Sequence, residues 1–274
     1  SSLACALANT DYRIALIESH ASTPFSTDHF FDSRVVALSA ASRQFLQQVG
    51  AWEEIAAKRI SPFERMQVWD AEGTAEVVFD CHDAQQSTLG HIVENSLVVS
   101  ALQHCLQKQH LPNTDLDKPH TDTTVTQKMI WHCPDTVTHL THNEKKYAAC
   151  ELTLQSGKRI HAKLVVAADG AVSGMRQLAG LQTTEWDYGH TAVIATVRTS
   201  KPHQRTARQR FQTSGPVAFL PLSNAADDQD WCSVVWSTSH EAAQQLLALS
   251  DNAFATALGE AFEHRLGDIL AVHG

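Results

Sequence analysis

Two acids in this sequence stand where one could accept from the ribose hydroxyls of a dinucleotide and the other could fix a turn beside it. Glu18 closes the run Arg-Ile-Ala-Leu-Ile-Glu over residues 13–18. That run is short, apolar and β-branched, as a buried parallel strand is, and an acid at such a strand's carboxyl end can accept hydrogen bonds from a ribose diol. Asp169 and Gly170 lie in the string Leu-Val-Val-Ala-Ala-Asp-Gly-Ala-Val-Ser-Gly-Met-Arg over residues 164–176. Leu164, Val165 and Val166 form a buried strand in this reading, Asp169 and Gly170 a sharp turn, and Ser173 the cap of a short helix in which Arg176 faces back toward the turn. A turn that needs glycine for close backbone approach, with an acid fixed at a strand end, suits a nucleotide-binding crevice. Each feature also has a plain reading: an exposed glutamate after any strand, and an ordinary strand–turn–helix.

Other chemistries find little support. The six cysteines are scattered without a Cys-x-x-Cys pair, which reads as reduced thiols and not a disulfide framework. His139 and His142 are three apart but have no carboxylate or thiol at ligand spacing, so no metal site is expected and the sixteen histidines read as solvated strand-edge and loop residues. Thirty acids against 21 Lys and Arg give a net charge of −9, which argues against nucleic acid as a partner. Neither an apolar run of membrane-spanning length nor a signal peptide is visible.

The elements that must position these residues change character along the chain. Residues 3–8 read as a helix, followed by a tight turn and the strand ending at Glu18, which is the second half of a βαβ unit; the strand and glycine-rich turn that should come first are missing. Leu38, Phe45, Leu46 and Val49 fall at helical spacing with Gly50 as a stop, and a short helix is expected over 53–58. Strands are expected over 66–69 and 76–79, then an amphipathic helix capped by Asn95. A Pro-, Asp- and His-rich loop follows over 111–122. Strands return over 137–140, 147–154, 159–168, 193–198, 209–212, 217–222 and 232–237, with a hairpin turn at Ser156 and Gly157 and a linker over 223–229. Helices over 241–249 and 252–262 close the chain. An α/β portion followed by a mostly antiparallel one implies a mixed α/β (α+β) fold of two interleaved domains.

The string around Asp169 resembles the Asp-Gly motif of the flavoprotein aromatic hydroxylases, the class of p-hydroxybenzoate hydroxylase. The stretch Asp-Ser-Arg-Val-Val-Ala-Leu-Ser over residues 32–39 resembles the segment whose arginine reaches the flavin's pyrophosphate and ribityl region. Leu-Gly-His-Ile-Val-Glu-Asn over 89–95, Tyr-Gly-His over 188–190, and the stretches over 207–211, 215–222 and 233–236 narrow the likeness to the ubiquinone-biosynthesis hydroxylases, near the polyprenylphenol hydroxylases. The resemblance covers nearly the whole chain. It departs from the family by lacking the N-terminal glycine fingerprint and the later Gly-Asp motif, so a fragment truncated at both ends is expected. His91 stands where other members carry a flavin-contacting glutamine.

The resemblance implies a Rossmann-like FAD-binding domain over residues 1–60 and 88–180, interleaved with an antiparallel-sheet substrate domain over 61–87 and 181–274. It implies a monooxygenase that uses FAD, NADH or NADPH, and O2 to hydroxylate a polyprenylphenol through a flavin hydroperoxide, so no metal or protein nucleophile is expected. Arg34 would hold the diphosphate, Glu18 the adenosine ribose, Asp169 and Gly170 the crevice turn, and His91 the flavin. Phe219, Pro221 and Leu222 would line the substrate pocket, or equally fill the core beneath their sheet. Implied partners are other ubiquinone-biosynthesis proteins. The expected location is cytoplasmic, with at most peripheral contact at the inner membrane face, since the acidic balance disfavours adhesion to anionic lipid. A polypeptide of these residues alone is expected to bind FAD poorly and to be inactive. The alternatives are a non-catalytic lipid-quinone or partner-binding scaffold, and a flavin reductase of the same fold.

Overall fold

The computed structural model describes residues 1–110, 128–141, 150–224 and 228–274. The expected loop over 111–122 lies outside these residues, as do His142, residues 147–149 of the strand expected over 147–154, and residues 225–227 of the linker. In chain order the elements begin with α1 (Ser2–Leu7), β1 (Ile14–Ile17), β2 (Val35–Leu38), α2 (Ala40–Gln48) and α3 (Trp52–Ala56). Next come β3 (Ile60–Phe63), β4 (Arg65–Asp70), β5 (Glu76–Asp80), β6 (Gly90–Glu94) and α4 (Asn95–His110). They are followed by β7 (Met129–His132), β8 (Val137–Thr141), β9 (Cys150–Leu154), β10 (Arg159–Ala162) and α5 (Gly174–Leu178). The last group is β11 (His190–Thr199), β12 (Thr206–Phe211), β13 (Val217–Leu222), β14 (Trp231–Ser239), α6 (His240–Leu247), α7 (Asp251–Ala261) and β15 (Ile269–His273).

These elements form two compact units, residues 1–23 with 106–186, and residues 24–105 with 187–274. The expected division by role cuts the chain elsewhere, since residues 61–87 share their unit with 24–60 and 88–105. Compactness and role are separate properties, and the division by role stays a proposal.

In the first unit, α1 leads through a turn stapled by the Thr10 hydroxyl on the Leu7 carbonyl (2.6 Å) into β1. β1 pairs in parallel with β7, Ile14 opposite Met129, a strand that sequence reasoning missed. β8, β9 and β10 form an antiparallel sheet, with Gly157 at φ +82° making the expected hairpin turn. One expectation is corrected here. Residues 164–168 form no strand, and Leu164 and Val166 are 78% and 55% exposed. The register of β10 pairs Ala162 with Cys150, the first residue of β9, so the apolar run continues past the described end of its partner. Branched residues favour a strand only where a neighbour takes up the ladder hydrogen bonds.

The second unit is built on a seven-stranded sheet in the order β15-β11-β14-β13-β12-β4-β5. It is mixed because β12 runs parallel to β4 and antiparallel to β13. One face carries α6 and α7, whose expected starts are fixed by side-chain caps from Ser239 and Ser250. Phe254 and Leu258, four apart on α7, bury into a core with Val193, Val197, Phe219 and Val234. Phe219 stacks on Phe262 with ring centres 3.8 Å apart. A separate antiparallel sheet runs β2-β6-β3. Leu38 is the last residue of β2 rather than part of a helix; Ser39 then caps α2, accepting from the Ser42 amide, and Gly50 at φ +79° turns the chain after it.

None of the six cysteines is joined in a disulfide. Burial pushes the Cys232 thiol up to about 12, whereas Cys133 is exposed. Because the thiolate is the nucleophile, a thiol reagent is expected to modify native protein at Cys133 and to reach Cys232 only after unfolding. Mass spectrometry of labelled peptides reads this directly, and rapid native labelling of Cys232 would contradict its place in the core. Among the described residues no helix is long and apolar enough to cross a membrane.

Candidate functional site

Of the expected site residues, Glu18, Asp169 and Gly170 belong to the first unit, and Arg34, His91, Phe219, Pro221 and Leu222 to the second. Glu18 sits one residue past β1, fixed by its own amide on the His132 carbonyl and by the Asp135 amide on its carbonyl, both at 2.9 Å. Its side chain is exposed and has no partner among the described residues. Strand β1 therefore delivers an unspent carboxylate at its carboxyl end.

Asp169 behaves differently. One carboxylate oxygen accepts from the Ser173 hydroxyl at 2.6 Å, the other from the Met175 amide at 2.9 Å. The Met175 amide, then the Ser173 hydroxyl, hold its carboxyl below the usual carboxylate range. Ser173 in turn accepts from the Arg176 amide at 3.0 Å, and the Arg176 guanidinium donates to the Ala171 carbonyl at 2.7 Å. Gly170 takes φ +84°, the left-handed conformation that glycine adopts without strain. Arg176 thus faces back to the turn as its position implied. Asp169 spends both oxygens on the loop itself, so what it offers a ligand is a fixed backbone.

In the second unit the loop before β2 is held by a buried ion pair. Arg59 donates to Glu94 at 3.0 Å, with side chains 9% and 3% exposed. The same Glu94 oxygen accepts from the Asp32 amide at 2.6 Å, and Asp32 accepts from the Arg34 amide at 3.0 Å. Burial pushes the Glu94 carboxyl up, against the opposing pull of the Asp32 amide and the Arg59 charge. The Arg34 guanidinium is exposed and unpartnered among the described residues. Glu94 and Arg59 escaped sequence reasoning. The available signal was an acid ending an apolar strand, but its cation lies 35 residues away in the chain.

His91, on β6, is 7% exposed and meets the Trp52 ring edge-on at 5.1 Å. Burial, reinforced by the Arg43 charge, lowers its pKa, so the imidazole is neutral near pH 7. It lines a cavity of about 320 Å³ with Ala40, Arg43, Gln44, Gln47 and Ser87. Phe219, Pro221 and Leu222 are all buried, and the Phe219 ring is spent on the core against Phe262. One close group arises that spacing did not suggest: ligand atoms of Asp80, Cys81 and His82 lie within 4.8 Å of one another. Asp80 is already engaged by Arg65 and by His82, each at 2.7 Å, and burial raises the Cys81 thiol, so this cluster is satisfied as it stands.

The fold is that of the flavin-dependent monooxygenases. PqsL of Pseudomonas aeruginosa, solved in complex with 2-aminobenzoylacetate, superposes with a TM-score of 0.68 at 16% identity, over 98% of this chain and 64% of that one. A family profile described as "FAD binding domain" matches residues 1–267, and the chain belongs to that family. The ubiquinone biosynthesis monooxygenase COQ6, mitochondrial, of Xenopus tropicalis is 34% identical over 273 residues, covering 96% of this chain and 54% of the relative. The 3-demethoxyubiquinol 3-hydroxylase of Escherichia coli (strain K12) is 31% identical over 265 residues, 97% of this chain and 61% of the relative. The chain thus spans about half the length of the curated relatives it matches.

Proposed function

We propose that this chain supplies part of an FAD-dependent monooxygenase that hydroxylates the ring of a polyprenylphenol in ubiquinone biosynthesis, with NADH or NADPH as donor and O2 as co-substrate. Two named relatives act in ubiquinone metabolism, and the chain aligns with them along almost its whole length. The observation that carries the reading is the exposed Arg34 guanidinium, presented without a partner among the described residues on a loop anchored by the Arg59–Glu94 pair. A guanidinium fork held in that way suits the oxygens of a diphosphate.

The residues fit that cofactor. Glu18 would accept from the adenosine ribose diol, and the forked donors of Arg34 would meet diphosphate oxygens. The Asp169 knot would hold Gly170 and the following amides in a fixed turn beside the cofactor. His91, neutral and buried, would offer the flavin a hydrogen bond without adding charge. Pro221 and Leu222 would close the aromatic pocket to water, with Phe219 as their support from the core. Bound FAD supplies the electron transfer and oxygen chemistry; the chain's own part is to bind, orient and keep dry. The proposed partners are other proteins of ubiquinone biosynthesis, and the proposed setting is cytoplasmic with peripheral contact at the inner membrane face.

The test is flavin absorbance of the full-length protein, followed by NADH and NADPH oxidation with short-chain polyprenylphenols. Stoichiometric flavin and phenol-dependent oxidation with hydroxylated product are expected. A colourless protein, or a flavoprotein that never hydroxylates a phenol, would overturn the reading.

A further inference from the structure

We infer that Glu94 and Arg59 are positioning residues that set the Arg34 guanidinium toward a diphosphate; this rests on the reading of Arg34 as the cofactor's phosphate ligand. Residues 29–34 form neither helix nor strand, so nothing repetitive fixes their backbone. What fixes it is one buried charge pair. Arg59 divides its fork, one arm donating to the His29 carbonyl at 2.8 Å and the other to Glu94 at 3.0 Å. Glu94 receives the Asp32 amide on that same oxygen, and the Asp32 side chain receives the Arg34 amide. Beyond Arg34, the Asn95 amide donates to the Arg34 carbonyl at 2.9 Å, closing the circuit next to Glu94 itself.

Aromatic rings pack against the same segment as well. The Arg59 guanidinium lies 4.8 Å from the centre of the Phe31 ring, and Phe30 packs against Trp231 at 5.1 Å and His273 at 4.1 Å. The backbone on both sides of the Arg34 Cα is therefore fixed by groups that do not touch the guanidinium. The cost of this arrangement is visible. The second Glu94 oxygen and the Arg59 Nε are buried without hydrogen-bond partners, and a carboxylate–guanidinium pair held in so little water is a poor choice for stability alone. A loop that must present a cation in one place gives that cost a purpose, because a ligand anchored before binding loses less freedom on binding.

The experiment is a double-mutant cycle on full-length apo-protein, with FAD affinity read from quenching of flavin fluorescence. Arg34→Ala is expected to weaken FAD by roughly 10–100-fold, from the loss of charge-assisted hydrogen bonds. Glu94→Ala is expected to weaken it by about tenfold, and the double variant to be no weaker than Arg34→Ala within about twofold, because the two act through one contact. Losses that multiply would overturn the positioning role. If Arg34→Ala alone leaves affinity unchanged, the Arg34 reading fails instead, whatever Glu94 does.

Should Glu94→Ala fail to fold, Glu94→Gln and Arg59→Lys keep the test open. Lysine retains the charge but has no fork with which to reach both His29 and Glu94. Hydrogen exchange at the Asp32 and Arg34 amides of apo-protein is expected to quicken in both, together with a loss of FAD affinity that shrinks when Arg34 is already alanine. Faster exchange with unchanged FAD affinity would show the pair to be scaffolding only.

Discussion

Phe219→Ala is expected to cost about 3–5 kcal/mol of stability, the range for removing a buried ring whose surroundings relax only partly. Phe219 is 1% exposed and stacked on Phe262, which itself meets the Trp69 ring at 5.0 Å. Truncation would leave a void bounded by the sheet on one side and α7 on the other, both held by backbone ladders that cannot close inward. Each kcal/mol lowers the midpoint by roughly 2–4 °C in chains of 150–250 residues. Thermal unfolding of the full-length apo-protein measures it. A midpoint nearly unchanged, with only a raised KM for the phenol, would mean that Phe219 acts at the pocket and not in the core.

Arg59→Ala is expected to cost a similar amount, about 3–5 kcal/mol, because it strands Glu94 in the interior without its cation. The loss has a distinctive pH dependence. The Glu94 carboxyl already lies above its ordinary range, and without Arg59 it rises further. A carboxyl whose folded value exceeds its unfolded one favours the folded state most at low pH, and that advantage disappears as pH rises through the folded value. The penalty of Arg59→Ala is therefore expected to be smaller near about pH 5 than near about pH 8. Arg59 also holds the His29 carbonyl and stacks on Phe31, and those losses do not vary with pH. Denaturant titrations at both pH values separate the two parts. A penalty independent of pH would show that Glu94 is not left charged and buried.

Much of the fold was legible because local rules decided it. Ser173, Gly50 and Gly157 each mark an element boundary through a cap or a left-handed turn, and the structure places boundaries there. The missed elements lack such signals. All five residues of β6 are buried, so Gly-His-Ile-Val-Glu shows no alternation and reads as neither period. β3 contains Pro62, and β7 is recognisable only by its distant parallel partner β1. The error over residues 164–168 has the opposite cause, since strand-forming residues promise a ladder that position alone must supply.

The candidate site shows the same split. The Asp169 turn was readable because its partners Ser173 and Met175 lie four and six residues further on, and Glu18 was readable only as the residue that follows β1. The ion pair behind Arg34 joins residues 35 apart, and nothing local in Arg59 announces it. Sequence also could not show that Asp169 would turn both oxygens inward, because that depends on the amides of its own loop.

The most direct test of the whole account is a crystal structure of the full-length protein with FAD bound. The Arg34 guanidinium is expected against the diphosphate, and the Glu18 carboxylate within hydrogen-bonding distance of the adenosine ribose. A structure in which FAD binds while either side chain points to open solvent, remote from the cofactor, would contradict it.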